Sequence, residues 1–178
     1  MTVFPEVGIV LAILSFIGLW IAYAVGREIV LNLIYENRSK KTIKLVDRYF
    51  YNIGENDPGS PVTLSPLQKC DGFEFYSDVA IAVDNYSKIR GIGVSLVFQK
   101  DDGSTLVICI RNDIYHDPHY TIGEGWPSAE IAYEECVNGE LILEDVEWGR
   151  DLIVKNRLDP REFNQYTFAG IISFHDAK

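Results

Sequence analysis

Residues Ile92–Asp113 read "IGVSLVFQKDDGSTLVICIRND". Two runs rich in Val, Ile, Leu and Phe, "IGVSLVFQK" and "TLVICIRND", flank the four residues "DDGS". Branched and aromatic side chains fit a pleated, half-buried surface, and an Asp-Gly pair supplies a tight turn between strands. The stretch predicts an antiparallel hairpin. Cys109, inside "TLVICI", reads as a small core hydrophobe.

The same grammar continues on both sides. "REIVLNLIYEN" (27–37) alternates polar and apolar positions, as a half-buried strand does. "KKTIKLVDRYFYN" (40–52) repeats it, with Ile43, Leu45 and Tyr49 among the larger side chains and "ENRSK" as the intervening turn. A Gly/Pro/Ser-rich loop, "IGENDPGSPVTLSP", follows, and "FEFYSDVAIAV" and the C-terminal "QYTFAGIISFHD" are further apolar strands. Short strands with such punctuation predict a mainly β chain, a β-sandwich forming one domain over 27–178. One internal helix is expected in "PSAEIAYEECVNG": Ser128 is placed as N-cap, Glu130 in the first turn and Gly139 at C′.

The N-terminus is different. "GIVLAILSFIGLWIAYAVG" (8–26) carries no charge between Glu6 and Arg27, and about 20 apolar residues span a hydrocarbon core of ~30 Å as a helix. A cleaved signal usually begins with basic residues, whereas this start carries Glu6 and no Lys or Arg. The expectation is an apolar, membrane-active helix over 1–26, retained in the protein. Ile13, Phe16, Ile17 and Trp20 lie on its broad apolar face as the inserting residues. Gly8, Ser15 and Ala22 belong to a narrow face of small residues, which lets helices pack closely in lipid or against the protein's own sheet.

A net charge of −10 argues against nucleic acid, whose phosphates need clustered Lys and Arg, and against tight adhesion to strongly anionic membranes. Cys70, Cys109 and Cys136 have no CxxC-like spacing and complete no disulfide framework. His116, Asp117 and His119 in "YHDPHY" have no helical frame and no third strong ligand, so a polar surface loop is expected there and no metal site. No GxSxG accompanies a triad, and "GIG" at Gly91–Gly93 precedes a strand where a phosphate loop would follow one. The acidic residues between Glu130 and Asp151 read as a solvated face. The chain is expected to be no enzyme and to need no cofactor. Aromatic residues are more informative. Tyr115, Tyr120 and Trp126 share a Gly/Pro-punctuated segment close to Tyr133, and such rings either fill the core rim or serve the membrane interface and quaternary ammonium groups.

The order of these features resembles the actinoporins, the pore-forming toxins of sea anemones, and their actinoporin-like relatives. The resemblance is carried by the apolar helix followed by "GREIVLNLIYENRS" with Asn37-Arg38-Ser39, and by "DRYFYNIG" with Tyr49-Phe50 and Gly54. "GSTLVICI", "AYEE" at Tyr133–Glu135 and the placing of Trp148 continue it, so that it covers nearly the whole chain. It implies a β-sandwich flanked by two helices, which recognises lipid headgroups through aromatic loops, oligomerises in the membrane and inserts its N-terminal helix to line a pore. Tyr133 matches the family's headgroup-contacting tyrosine, Tyr120 and Tyr115 its aromatic loop more loosely. The implied partners are membrane lipids, sphingomyelin or other phosphocholine headgroups among them, and further copies of the chain. The implied location is a membrane, reached by secretion if the protein forms pores. The chain departs from the family in its acidity, its three cysteines, its uncharged helix, and Val137 and Asn138 where the family has paired tyrosines.

Two other functions fit the sequence. In one, 7–26 is a fixed span holding a β-sandwich binding module, and Arg27, Arg38, Lys40, Lys41 and Lys44 keep that module cytoplasmic. In the other, the segment is removed and a secreted lectin-like domain remains.

Overall fold

The structure, a computed structural model, describes residues 30–53, 62–71, 73–84, 91–112, 119–135, 144–158 and 167–178. The N-terminal segment, with the inserting and small-faced residues assigned above, lies outside them. The described strands are β1 (Val30–Asn37), β2 (Ile43–Tyr51), β3 (Val62–Leu64), β4 (Gln68–Cys70), β5 (Phe73–Phe75) and β6 (Ser77–Asp84), followed by β7 (Ile92–Lys100), β8 (Thr105–Asn112), β9 (His119–Gly123), β10 (Val146–Trp148), β11 (Leu152–Leu158) and β12 (Thr167–Asp176). One helix, α1 (Ala129–Glu135), stands between β9 and β10.

Two five-stranded sheets form the sandwich. Sheet A runs β10-β11-β12-β1-β6 and sheet B runs β3-β2-β7-β8-β9, with β4-β5 as a separate small hairpin. The expected hairpin is β7-β8, paired from Gln99↔Thr105 to Ile92↔Asn112. Its turn is held by Asp102, whose Oδ1 accepts from the Ser104 N–H and hydroxyl, and by Gly103 at φ +85°, a conformation that glycine adopts without strain. The pairing that closes sheet A is less local. β1 lies parallel to β12 from Val30↔Thr167 to Asn37↔Phe174, which joins the two ends of the described chain.

Between the sheets, Leu31, Leu33, Ile92, Val94, Leu96, Leu106, Ile108, Ile110, Leu152, Val154 and Ile172 are buried together. An aromatic line crosses this core: Tyr35 to Phe98 at 5.2 Å, Phe98 to Phe174 at 5.1 Å and Phe174 to Trp148 at 5.9 Å between ring centroids. Trp148 is fully buried, so the acidic run that reads as a solvated face also holds a core residue, on strand β10.

One end of the sandwich is organised by Asn37 and Lys100. The Asn37 amide donates to the carbonyls of Lys41, Leu64 and Ser65 at 2.8, 2.9 and 3.1 Å, while its Oδ1 accepts from the N–H and hydroxyl of Ser39. The Asn-Arg-Ser turn therefore ties β1, β2 and β3 together. Nearby, the buried Lys100 ammonium lies 2.8 Å from Asp151 Oδ1 and 5.1 Å from the centre of the Trp148 ring, and Lys41 adds a second contact to Asp151 at 3.3 Å.

The hydrogen bond from Lys100, opposed by some desolvation and aided by Lys41, holds the Asp151 carboxyl below its ordinary 3.8. The unfolded chain binds that proton more readily, so this stabilisation is complete above pH 3.8 and is lost as pH falls through the folded value. Asp151→Asn is expected to lower the denaturation midpoint at neutral pH and to flatten its decline in acid. Urea midpoints measured from pH 7 down to pH 3 check this. An unchanged slope contradicts it.

Candidate functional site

Helix α1 covers the outer face of sheet B. Ser128 caps it as expected, its hydroxyl accepting from the Ile131 N–H at 3.3 Å, and Asp47 Oδ2 accepts from the Ala129 N–H at 2.8 Å from across the sheet. Ala129 and Ala132 pack on Val97 and Val107, and Trp126 Nε1 donates to Glu135, clasping the helix along its length. Trp126 lies over Gly123, where a Cβ would come within 2.8 Å of its ring.

The strands beneath present three rows of side chains to this face. Asp47, Val97, Val107 and Gly123 form the first, Tyr49, Ser95, Cys109 and Thr121 the second, Tyr51, Gly93, Arg111 and His119 the third. A bulge decides who stands there. The register of β2 against β7 shifts between Leu45 and Asp47, so that one extra residue, Val46, turns the rest of the strand over. Ile43 and Leu45 point into the core, whereas Tyr49 and Tyr51 point outward. The sequence pattern places Tyr49 in phase with Ile43 and Leu45; the bulge reverses that.

Tyr133, from α1, completes the cluster. Its ring centroid is 5.1 Å from Tyr49 and 5.5 Å from Tyr51, stacked on the latter. The Arg111 guanidinium carbon sits 5.6 Å from the same ring centre. The ring lies directly on Gly93, where a Cβ would press on Cε2 and approach the Tyr133 hydroxyl to 2.7 Å. Burial pushes the Tyr133 phenol well above its ordinary 10.0, with Arg111 pulling it partly back, and burial likewise raises Tyr49. Both remain neutral hydrogen-bonding groups at physiological pH. The result is a three-tyrosine platform, half-open at Tyr49 and Tyr51, with a fixed positive charge on its rim.

Of the residues expected to meet a ligand, the structure brings Tyr133 to this cluster and sets Trp126 over Gly123, alongside α1 with its indole N–H on Glu135. Tyr120 is elsewhere. It lies in β9, fully buried, and its hydroxyl donates to Asn156 Oδ1 at 2.6 Å. The alternation of β9 turns Tyr120 and Ile122 inward, which corrects the expectation of an exposed aromatic loop at this position. Tyr115 lies outside the described residues, as do His116 and Asp117. Tyr49, Tyr51, Arg111 and Gly93 are the members that the sequence pattern does not single out. A groove of about 270 Å³ at the bulge is lined by Leu45, Val46, Asp47 and Arg48 among the described residues. Among the described residues no group of three metal-ligating side chains is assembled, and no helix is long and apolar enough to cross a membrane.

No protein-family model and no curated protein matches the chain. Solved structures do. A triply substituted form of the Xerocomus chrysenteron lectin XCL is similar with a TM-score of 0.53 at 11% identity, over 84% of this chain and 99% of that one. The lipid binding protein Nakanori is similar with a TM-score of 0.50 at 9% identity, over 89% of this chain and 75% of that one. Both have an actinoporin-like fold. At such identities the likeness is one of fold.

Proposed function

We propose that this protein binds phosphocholine-type lipid headgroups, and that it is an actinoporin-like pore former which oligomerises on the membrane and inserts its N-terminal helix. The observation that carries the first part is the platform of Tyr49, Tyr51 and Tyr133 with Arg111 at its edge. A quaternary ammonium is attracted to the face of an aromatic ring, and a guanidinium pairs with a phosphate in forked geometry. The exposed parts of Tyr49 and Tyr51 would take the choline, and Arg111 the phosphate. Trp126 would contribute an amphipathic ring nearby. The lectin and lipid-binding neighbours are consistent with headgroup or glycan recognition on this fold.

Topology supports the second part. β1 ends at Asn37, beside the turn into Ile43, so its first residue, Val30, lies at the other end of the sandwich. Tyr51, Gly93 and Arg111 lie at that same end, since β2 runs from Ile43 to Tyr51. The chain preceding Val30 therefore joins the sandwich at the end that carries the tyrosines, and a bilayer bound there would be within its reach.

Co-sedimentation with vesicles of sphingomyelin and phosphatidylcholine, and with vesicles lacking choline, tests the reading. The full chain is expected to bind only the former and to release trapped dye. Tyr51→Ala should weaken binding by roughly 2- to 30-fold, the range of one cation–π contact. A chain lacking residues 1–26 should bind without leakage. Binding without leakage by the full chain would remove the pore and favour the anchored module. Equal binding to both vesicle types would remove the headgroup reading.

A further inference from the structure

The tyrosine platform is charged at both ends, with opposite signs. Tyr49 stands one step inward of Tyr51 along β2, about 6.8 Å away, and Arg111 belongs to the end row with Tyr51. The acids come from α1. At about 3.6 residues per turn, Ala129, Ala132 and Tyr133 form the stripe that lies on the sheet. Glu130 and Glu134 then share one flank of the helix, and Glu135 takes the other. Contacts fix which flank faces which strand. Glu135 accepts from Trp126, and Trp126 lies over Gly123 of β9. Glu130 and Glu134 therefore overlook the β2 side, where Tyr49 lies 5.1 Å from Tyr133 and Asp47 holds the start of the helix.

Electrostatics agrees with this placement. After burial, the charges of Glu130 and Glu134 are the next causes that raise the Tyr49 phenol above its ordinary 10.0. Both carboxylates are exposed, and among the described residues neither forms an ion pair. A phosphocholine headgroup carries its phosphate next to the lipid tail and its ammonium at the free end. Tyr51 and Arg111 stand at the end of the sandwich that the chain preceding Val30 joins, the end set against the bilayer above. The site is thus positive toward the tail and negative toward the free end, complementary to a headgroup that enters ammonium first.

We infer that Glu130 and Glu134 determine the specificity of this site: they hold the ammonium over Tyr49, inward of the phosphate on Arg111, and exclude headgroups whose free end is anionic. The inference rests on the headgroup reading and adds direction and selectivity to it. A quaternary ammonium over Tyr49 gains both the ring face and two carboxylates. A phosphoserine headgroup ends in a carboxylate, which meets two like charges there. Such a repulsive element separates ligands that the attractive contacts alone accept equally. The net charge of −10 repels every anion wherever it approaches, so the local effect needs a control of equal charge change.

Titration of the full chain with phosphocholine, tetramethylammonium, inorganic phosphate and phosphoserine, followed by the tyrosine and arginine side-chain resonances, tests it. Tetramethylammonium should shift Tyr49 before Tyr51, and inorganic phosphate should shift Arg111. Glu130→Gln/Glu134→Gln should weaken tetramethylammonium by roughly 2- to 30-fold, the range of two exposed ion pairs, whereas Arg111→Gln should not weaken it. The preference for phosphocholine over phosphoserine should fall by a similar factor in the Gln pair. Its phosphoserine arm is a gain, which misfolding cannot produce. The control is Asp78→Asn/Glu147→Gln, two exposed acids of sheet A that change the net charge equally, and it should behave as the parent. If phosphocholine binds the parent and the Gln pair alike, or the control loses as much as the Gln pair, the inference falls and the headgroup reading stands. A parent whose resonances phosphocholine leaves unmoved overturns both.

Discussion

Gly93→Ala is expected to unseat Tyr133 and to abolish vesicle binding while the sandwich still folds. Gly93 is not among the glycines with positive φ, so its backbone would accept an alanine. The obstacle is space: the added Cβ would press on the Tyr133 ring, 2.7 Å from the hydroxyl and 2.8 Å from Cζ. Tyr133 is held by Tyr49 and Tyr51 on one side and sits at the end of a helix already fixed by Asp47 and Ser128. The ring has little freedom to slide, so it must rotate out or lift the helix. Overpacking of this kind costs about 1–3 kcal/mol. A double-mutant cycle separates the cause from a general defect. In a Tyr133→Ala background the Gly93→Ala substitution should cost almost nothing, because no ring remains to collide with. A cost that persists there would mean that Gly93 serves the strand rather than the tyrosine. Thermal unfolding and co-sedimentation, measured on all four proteins, report both effects.

Asn37→Ala should be the most damaging single change to stability. Two amide hydrogens serve three backbone carbonyls, two of them on the far side of a 27- and 28-residue separation, and the amide oxygen holds Ser39. Asn37 is fully buried, so alanine leaves several polar groups without partners and without ready access to water. Each such group costs about 1–3 kcal/mol, and a total near 3–4 kcal/mol is expected in urea denaturation. Asn37→Asp retains the acceptor but loses both donors and sets a carboxylate against three carbonyls, so it should fare no better. A glycan on the same nitrogen would displace a donated hydrogen. The Asn-Arg-Ser sequon is therefore expected to stay unmodified in the folded protein, which intact mass measurement from a glycosylating host checks. A loss below about 1 kcal/mol on Asn37→Ala would contradict this view of the turn.

Where the fold was legible, the information was local. The β7-β8 hairpin announces itself through "DDGS" between two branched runs, and α1 through Ser128 and Glu130 ahead of Ala132 and Tyr133. Where it was not, something distant or irregular intervened. Nothing near Val30 or Thr167 specifies their parallel pairing, which is settled by which apolar faces remain once the other strands are placed. The run around Glu144, Asp145 and Glu147 looks solvated, yet Trp148 within it and Leu152 just after it are core residues, and alternation over so few positions is a faint signal. Tyr120 lies in a five-residue strand, between Tyr115 and Trp126 in the sequence, and only its burial reveals that it serves the core. The site itself depends on Val46. One extra residue in β2 changes the facing of Tyr49 and Tyr51, and a strict period of two cannot anticipate it. Tyr133 was visible from the sequence; its partners were not.

The headgroup claim is tested most directly by following the ring resonances of the tyrosines and the side-chain resonance of Arg111 while phosphocholine itself is titrated into the protein. Saturable shifts at Tyr49, Tyr51, Tyr133 and Arg111 are expected, with Tyr35 and Tyr120, sealed in the core, unmoved. Arg111→Ala should weaken the response, since the phosphate then loses its charged partner. Resonances of the three-tyrosine platform that stay fixed throughout the titration, or that move no more than those of Tyr76 on the exposed surface, would contradict the account.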